Sequence, residues 1–521
     1  MSLQLIDVLQ KSYFPIELPP PFNTKSFGSA LTITTTNILG FANTRPHYSI
    51  PTSHNLVRAG GLRRNLSIPN PKHFYKLANH LVNNWNNILP YANVSKYSLT
   101  KPVLSTGDRA ISPEFSLNER SKKVAHLRST AKYILQTDIS RFFPSIYSHC
   151  IPWAIYGKAT AKALHASNQL KGTWQDSFDV YSRGINNNQT VGIPIGTDTS
   201  RVIAEVVLGN IDKQLAKKFK KLKGIRFIDD YEFALESIAD AENVLSYLQY
   251  LLNEYDLALN PNKTRILKLP DLLEPLWTSK LRTFSFRHTN EIAQMNDLTS
   301  YFDLVFNSLK NNPDEGMLKY AIARLRSECI NRNNWPTYES LLMNCAVNEP
   351  ACLPQICEQL DFYQHESYKM NKQKWSEVLN GIIYEKVPLG QSSEAAWAMW
   401  ILKLLTIRLS SKSAKLINET DDSVVALMGI GLANIGLTKL SYFSNLQQYS
   451  NIANIYNAQW LLCYELNHKN LFNTNINNLS NDSFFNYLTT NSVSFFDMSI
   501  IVPTPIRRRG IIVSQLPTGI Y

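Results

Sequence analysis

Three acidic residues stand where catalysis by metal ions would need them. Asp138 follows the short run Tyr133-Ile134-Leu135-Gln136-Thr137, and Asp229 and Asp230 follow Gly224-Ile225-Arg226-Phe227-Ile228. Both runs are β-branched or aromatic and bounded by polar residues, so both read as strands. Carboxylates on strands that leave a core are costly unless a cation compensates them. Two hard cations about 3.5–4 Å apart can clamp the attacking and leaving oxygens of a phosphoryl transfer, and they require several carboxylate oxygens. Asp138 and Asp229 are the natural bridging ligands, with Asp230 auxiliary. An Asp-Asp pair alone would be weak evidence, since such pairs are common on solvated turns; the apolar flanks change that reading.

Between these segments lies Gly192-Ile193-Pro194-Ile195-Gly196-Thr197-Asp198-Thr199-Ser200, a glycine-bracketed turn that leads into Val202–Val207, which reads as helix. The turns that position the strands are marked by Asn70-Pro71 and Asn260-Pro261, and Pro19-Pro20-Pro21 is expected to end the first short helical segment. The first ~290 residues therefore mix short strands, turns and helices. Beyond them apolar residues recur at helical spacing, as in Phe302, Phe306 and Leu309 or Trp397, Ile401, Leu404 and Leu405. Asn- and Ser-rich loops such as Leu466 to Asp482 separate these runs. The expected organisation is an α+β unit over residues 1–290 and an α-helical domain of stacked helix pairs over 291–521.

Composition sets the class. The chain has 521 residues, 44% hydrophobic and 18% charged, which suits several folded domains. A net charge of +12 favours a polyanionic partner, foremost nucleic acid. The six cysteines form no CxxC pair, and the histidines, His126 and His149 among them, form no metal-spaced cluster. No Walker-type loop appears, which excludes that ATPase class. The N-terminus lacks signal-peptide features and no apolar run reaches the ~18–20 residues of a span, so a soluble cytoplasmic protein without a membrane partner is expected.

In this order the segments resemble the palm of reverse transcriptases: an Asp followed five residues later by an aromatic (Asp138, Phe143), Gly-x-Pro-x-Gly-x-x-x-Ser (Gly192 to Ser200), aromatic-x-Asp-Asp (Phe227 to Asp230) and Leu-Asn-x-x-Lys-Thr (Leu259 to Thr264). The segment Leu62 to Pro71 resembles the N-terminal fingers of the same enzymes. The resemblance implies a right-hand polymerase palm and fingers followed by an all-α, helical-repeat-like domain. It further implies magnesium held by Asp138, Asp229 and Asp230, with the Ile139 carbonyl as a further ligand. Phe143 would be the steric gate against ribonucleotides, with Phe142 in the core, and Lys263 would lie near the triphosphate. Gly192, Pro194 and Gly196 would shape the nucleotide site. Arg120, Lys122, Lys123 and Arg128 are candidate phosphate contacts or a solvated basic face; the same choice applies to Arg507-Arg508-Arg509.

Ile195 stands where templated reverse transcriptases carry Gln, and Arg201 where they carry Pro. Those departures, the segment Phe143 to Lys158 and the motif Asn457 to Leu462 are similar to the abortive-infection (Abi, AbiK-like) reverse transcriptases of bacteria. That group implies untemplated, protein-primed DNA synthesis in defence against phage, dNTPs and a DNA product as partners, an RNA as a further candidate, and a homo-oligomer. A tyrosine hydroxyl would replace the primer 3′-OH; Tyr13 and Tyr48, in N-terminal turns, are candidates, with ordinary packing as their other role. An RNA-templated reverse transcriptase and a non-catalytic nucleic-acid-binding scaffold are the competing readings.

Overall fold

The computed structural model describes residues 2–32, 38–288, 290–473 and 479–501. Arg507-Arg508-Arg509 lie outside the described residues.

Two antiparallel hairpins come first, β1 (Thr52–Val57) with β2 (Arg63–Ile68) and β3 (Pro102–Leu104) with β4 (Ile111–Pro113). A four-stranded antiparallel sheet follows, built from β5 (Tyr133–Asp138), β6 (Lys223–Phe227), β7 (Asp230–Leu235) and β8 (Arg265–Lys268) in the order β6-β7-β5-β8. Both strands expected around the aspartates are present. β5 holds the sheet centre because its apolar residues are buried, Ile134 and Leu135 completely. The helix Asp198–Lys218 packs beneath the sheet; Thr197 caps it by accepting from the Ser200 amide.

From Glu291 onward every described element is helical, beginning with Glu291–Asn311, capped by Asn290. Successive helices pack on neighbours one or two further along, for example Lys372–Lys386 on Ser392–Leu405 and Ser392–Leu405 on Ser423–Asn434. The boundary expected at 290/291 coincides with a helix start, while packing continues across it. Phe22 bridges Phe496, the Trp460 indole donates to the Ile68 carbonyl (3.0 Å), and Thr52 donates to Ala458 (2.6 Å). One continuous apolar core joins both regions.

Three local expectations are corrected. The first helix, Leu5–Lys11, ends eight residues before Pro19. Asn70-Pro71 is a helix start: Asn70 accepts from the Lys72 amide and Pro71 occupies the first helical position, where its missing N–H costs nothing. The Asn-rich stretch from Leu466 begins inside the helix Trp460–His468. No described helix is long and apolar enough to cross a membrane.

Candidate active site

The register of the central sheet places Asp138 directly opposite Asp230 across β5 and β7, at the end where both strands meet a cleft. β6 and β7 are joined by the two-residue turn Ile228-Asp229, since Phe227 pairs with Asp230. Ile228 takes a left-handed conformation, φ +57°, which is strained for a β-branched residue. The turn is held from beneath. The Ile228 amide donates to Thr100 Oγ1 (3.1 Å) and its carbonyl accepts from Arg226 Nη1 (2.8 Å). The Asp229 carbonyl accepts from the Ile139 amide (3.3 Å), tying the turn to the end of β5.

Arg226 is wholly buried. It pairs with both oxygens of Glu205 (3.1 and 2.9 Å) and with Asp212 (2.8 Å). Ser98 and Thr100 also donate to Glu205, and Ser95 and Tyr231 to Asp212, so each buried charge has several partners. Glu205 and Asp212 sit seven residues apart on one helix, hence on one face. Sequence reasoning passed over this network, although an arginine amid apolar strand residues and a same-face acid pair on an apolar helix were its visible signals.

Asp138, Ile139, Phe143, Asp229, Asp230 and Lys263 all line a cleft of about 1410 Å³. Burial, then the charges of Asp230 and Asp138, push Asp229 up to about 7. Burial also raises Asp230, with Arg120 opposing it from 4.0 Å. Lys263 places its ammonium 2.6 Å from Asp138 Oδ2 and is itself half exposed. Among the described residues no group of three His, Cys, Asp or Glu stands as a ready metal-ligand set; in this conformation Lys263 carries the positive charge against Asp138. The three carboxylates are hard oxygen donors of the kind that suit a small divalent cation.

Phe142 is buried (2% exposed) and Phe143 is partly exposed, and both line the cleft. The Gly192–Gly196 turn runs beside them: the Ile193 amide donates to the Phe143 carbonyl and the Gly192 amide to Ile146. Gly192 (φ +88°) and Gly196 (φ +120°) adopt conformations that favour glycine. A Cβ on Gly196 would meet Pro15 Cγ at 2.5 Å. Pro194 is buried, and within this turn Ile195 alone lines the cleft. Arg109 clamps the turn by donating to the Gly196 carbonyl and pairing with the buried Asp198 (2.5 Å). Arg201 also pairs with Asp198 (3.4 Å), which gives it a structural task.

The cleft is lined by Arg58, Arg63, Arg64, Arg120 and Arg141 and also by C-terminal residues including Gln391, Asp421, Asp422 and Gln459, and Arg63 pairs with Glu394 of the C-terminal region (2.7 Å). Sequence reasoning missed this C-terminal lining because nothing local in those loops signals a distant sheet. Of the basic cluster, Arg128 is buried against Glu232 (2.9 Å) and Lys123 lies over the Phe115 ring, while Arg120 faces the aspartates. His149 is bound to Asp179 (2.5 Å). Tyr13 is fully buried, stacked on Phe74 at 4.0 Å, and donates to the Pro69 carbonyl (2.5 Å), so its hydroxyl lacks access in this conformation. Tyr48 is 48% exposed and lies four residues before Thr52, which lines the cleft.

The family described as Reverse transcriptase (RNA-dependent DNA polymerase) matches residues 58–292, the span that holds this sheet and its aspartates. Among solved structures the chain is similar to apo telomerase from Candida tropicalis, at 11% identity over 81% of this chain and 77% of that one, with a TM-score of 0.32. It is also similar to telomerase from Candida albicans in complex with the TWJ fragment of telomeric RNA, at 10% identity over 69% and 67%, with a TM-score of 0.27. Neither score carries the argument further. No curated protein matches the sequence. Residues 58–292 are a reverse transcriptase domain, and with its helical C-terminal region the chain is a nucleotidyltransferase, a DNA polymerase of the reverse-transcriptase type.

Proposed function

We propose that the cleft joins deoxynucleotides through Asp138, Asp229 and Asp230 holding magnesium, without a template, on a tyrosine of the chain itself. The observation that carries this reading is the convergence of the three carboxylates at one end of the central strands, with Asp229 pushed up to about 7 in a cleft that five arginines line. Magnesium, when bound, would lower the pKa of the attacking hydroxyl and offset charge on the leaving oxygens. Asp138, Asp229 and Asp230 would hold the cation, with the Ile139 carbonyl as a further oxygen donor. A hydroxyl oxygen attacks the α-phosphorus, the bond to the β-phosphate oxygen breaks, and pyrophosphate leaves. Lys263 and Arg120, which line the cleft, offer positive charge to the phosphates. Phe143 excludes the ribose 2′-OH, and the turn bearing Gly192, Pro194 and Gly196 holds Ile195 against the substrate. An isoleucine side chain offers no hydrogen bond to a primer or incoming nucleotide, which supports untemplated synthesis.

Access favours Tyr48 over Tyr13 as the priming residue. Membership of the abortive-infection group and a role against phage follow from the motif resemblance. The test is to incubate the purified chain with magnesium and labelled dNTPs, with no template or primer, and to resolve it on a denaturing protein gel. Label retained until protease digestion, and lost in Tyr48→Phe, is expected. Label appearing only when RNA and a primer are added would replace this reading with templated reverse transcription. Absence of label in both conditions would leave the non-catalytic scaffold.

A further inference from the structure

None of the lysines between residues 213 and 223 lines the cleft. Lys213, Lys217, Lys218, Lys220, Lys221 and Lys223 fall within eleven residues, all exposed, in the last turns of the helix Asp198–Lys218, the loop that follows and the first residue of β6. The acid nearest to them in sequence, Asp212, is buried on Arg226 and offers them no neutralisation. Lysines in a last helical turn complement the helix dipole, which explains Lys217 and Lys218, but the series continues beyond the helix. At 1.5 Å per residue the helix carries this cluster about 30 Å from the Gly196 turn.

Aromatic rings lie beside the lysines. Tyr247 and Tyr250 stack at 5.9 Å and 25°, Phe219 meets Tyr247 edge-on at 5.8 Å, and the Lys218 ammonium sits 5.8 Å from the Tyr247 ring. Tyr250 is 56% exposed and rims a cavity of about 390 Å³ that Tyr91, Lys158 and Lys213 also line. That volume lies within the range of small-ligand pockets, about 300–1,000 Å³. Glu254 is the sole acid among the described lining residues, and its backbone carbonyl is engaged by Lys158 (2.5 Å).

Lysines that track a phosphate backbone beside aromatic faces on which bases stack are the two parts of a sequence-independent single-strand site. We propose that the lysine series 213–223, with Tyr250 and its cavity, is a second binding surface for single-stranded nucleic acid, separate from the cleft. A double helix fits less well, because its bases are not available to Tyr250.

The test uses the full chain with fluorescently labelled dT20 and rU20, titrated over a range of salt concentrations. In the variant Lys213→Ala/Lys217→Ala/Lys218→Ala/Lys221→Ala the slope of log affinity against log salt should become shallower by about 2–3, at roughly 0.7 for each phosphate that a lysine no longer neutralises. Tyr250→Ala should weaken binding on the order of tenfold. Binding of either oligomer, weakened in these ways by the variants, supports the surface, and the comparison of the two tells product DNA from RNA. Photocrosslinking of a 4-thiouridine or 4-thiothymidine oligomer to wild-type protein should label Tyr250 or its neighbours, a readout that needs no variant to fold. Unchanged slopes and affinities, or crosslinks confined to cleft residues, would overturn the proposal.

Discussion

Replacing Arg226 should damage both the fold and the reaction, although the side chain never reaches the cleft. It is wholly buried, pairs with both Glu205 and Asp212, and donates to the Ile228 carbonyl. Arg226→Met leaves two buried carboxylates facing one another's field and a strained turn without its donor. Breaking a buried ion pair by removing one partner costs about 3–5 kcal/mol, and the loss of three acceptors' donor puts this case at the upper end. Total stabilities run to about 5–15 kcal/mol, so the variant should sit near the threshold of folding. Arg226→Lys keeps a charge but not the fork that reaches both oxygens of Glu205, and should cost about 1–3 kcal/mol. Urea denaturation followed by circular dichroism gives both values. In the folded lysine variant, relaxation of Ile228-Asp229 should lower nucleotide incorporation by about 10²-fold, the penalty of a misplacement near 1 Å, with KM for dNTP little changed. A loss of stability below about 1 kcal/mol in Arg226→Met would refute the claim that this network holds the turn.

Other perturbations probe neighbouring parts of the site and its supports. Gly196→Ala adds a Cβ at 2.5 Å from Pro15 and forces alanine to φ +120°; urea melts should show a loss of about 2–4 kcal/mol. His73 is buried between Ser49 Oγ (2.8 Å) and the Pro46 carbonyl (3.0 Å), and burial lowers its pKa to about 3. It stays neutral in the fold while the unfolded chain protonates near 6.5, so its contribution is complete above pH 6.5 and is lost as pH falls towards 3. Thermal melts across that window should fall more steeply for wild type than for His73→Gln. Lys263→Ala removes the ammonium from Asp138, so its melting temperature should rise more with added magnesium than that of wild type; at a hundred times its Kd a ligand adds about 2.7 kcal/mol. An equal magnesium response in both proteins would separate Lys263 from the cation's place.

Much of the palm was legible because its signals are local. The strands around Asp138 and Asp229-Asp230 show short apolar runs ending in acids, and the Gly192–Gly196 turn shows glycines where the backbone takes positive φ. What lay hidden is non-local. Nothing near Gln459 or Asp421 indicates that they line the same cleft as Asp138, since that wall joins segments some 300 residues apart. The proline run failed as a helix stop because the first helix had already ended at Lys11. Asn70-Pro71 was read as a turn because the same pair both breaks a chain and caps a helix, and only packing of the following residues decides between them. Tyr13 and Tyr48 looked equivalent in sequence; burial of the Tyr13 ring against Phe74 separates them.

The most direct test of the three-carboxylate site compares magnesium-dependent incorporation of labelled dNTPs by the wild-type chain with that by Asp138→Asn and Asp229→Asn, with melting curves recorded on the same preparations. Expected are incorporation by wild type, its loss in both variants, a melting temperature raised in Asp229→Asn, which removes a like charge from the cluster, and one little changed in Asp138→Asn, which removes a like charge but also the ion pair with Lys263. Undiminished incorporation by either folded variant would contradict the assignment of catalysis to these aspartates.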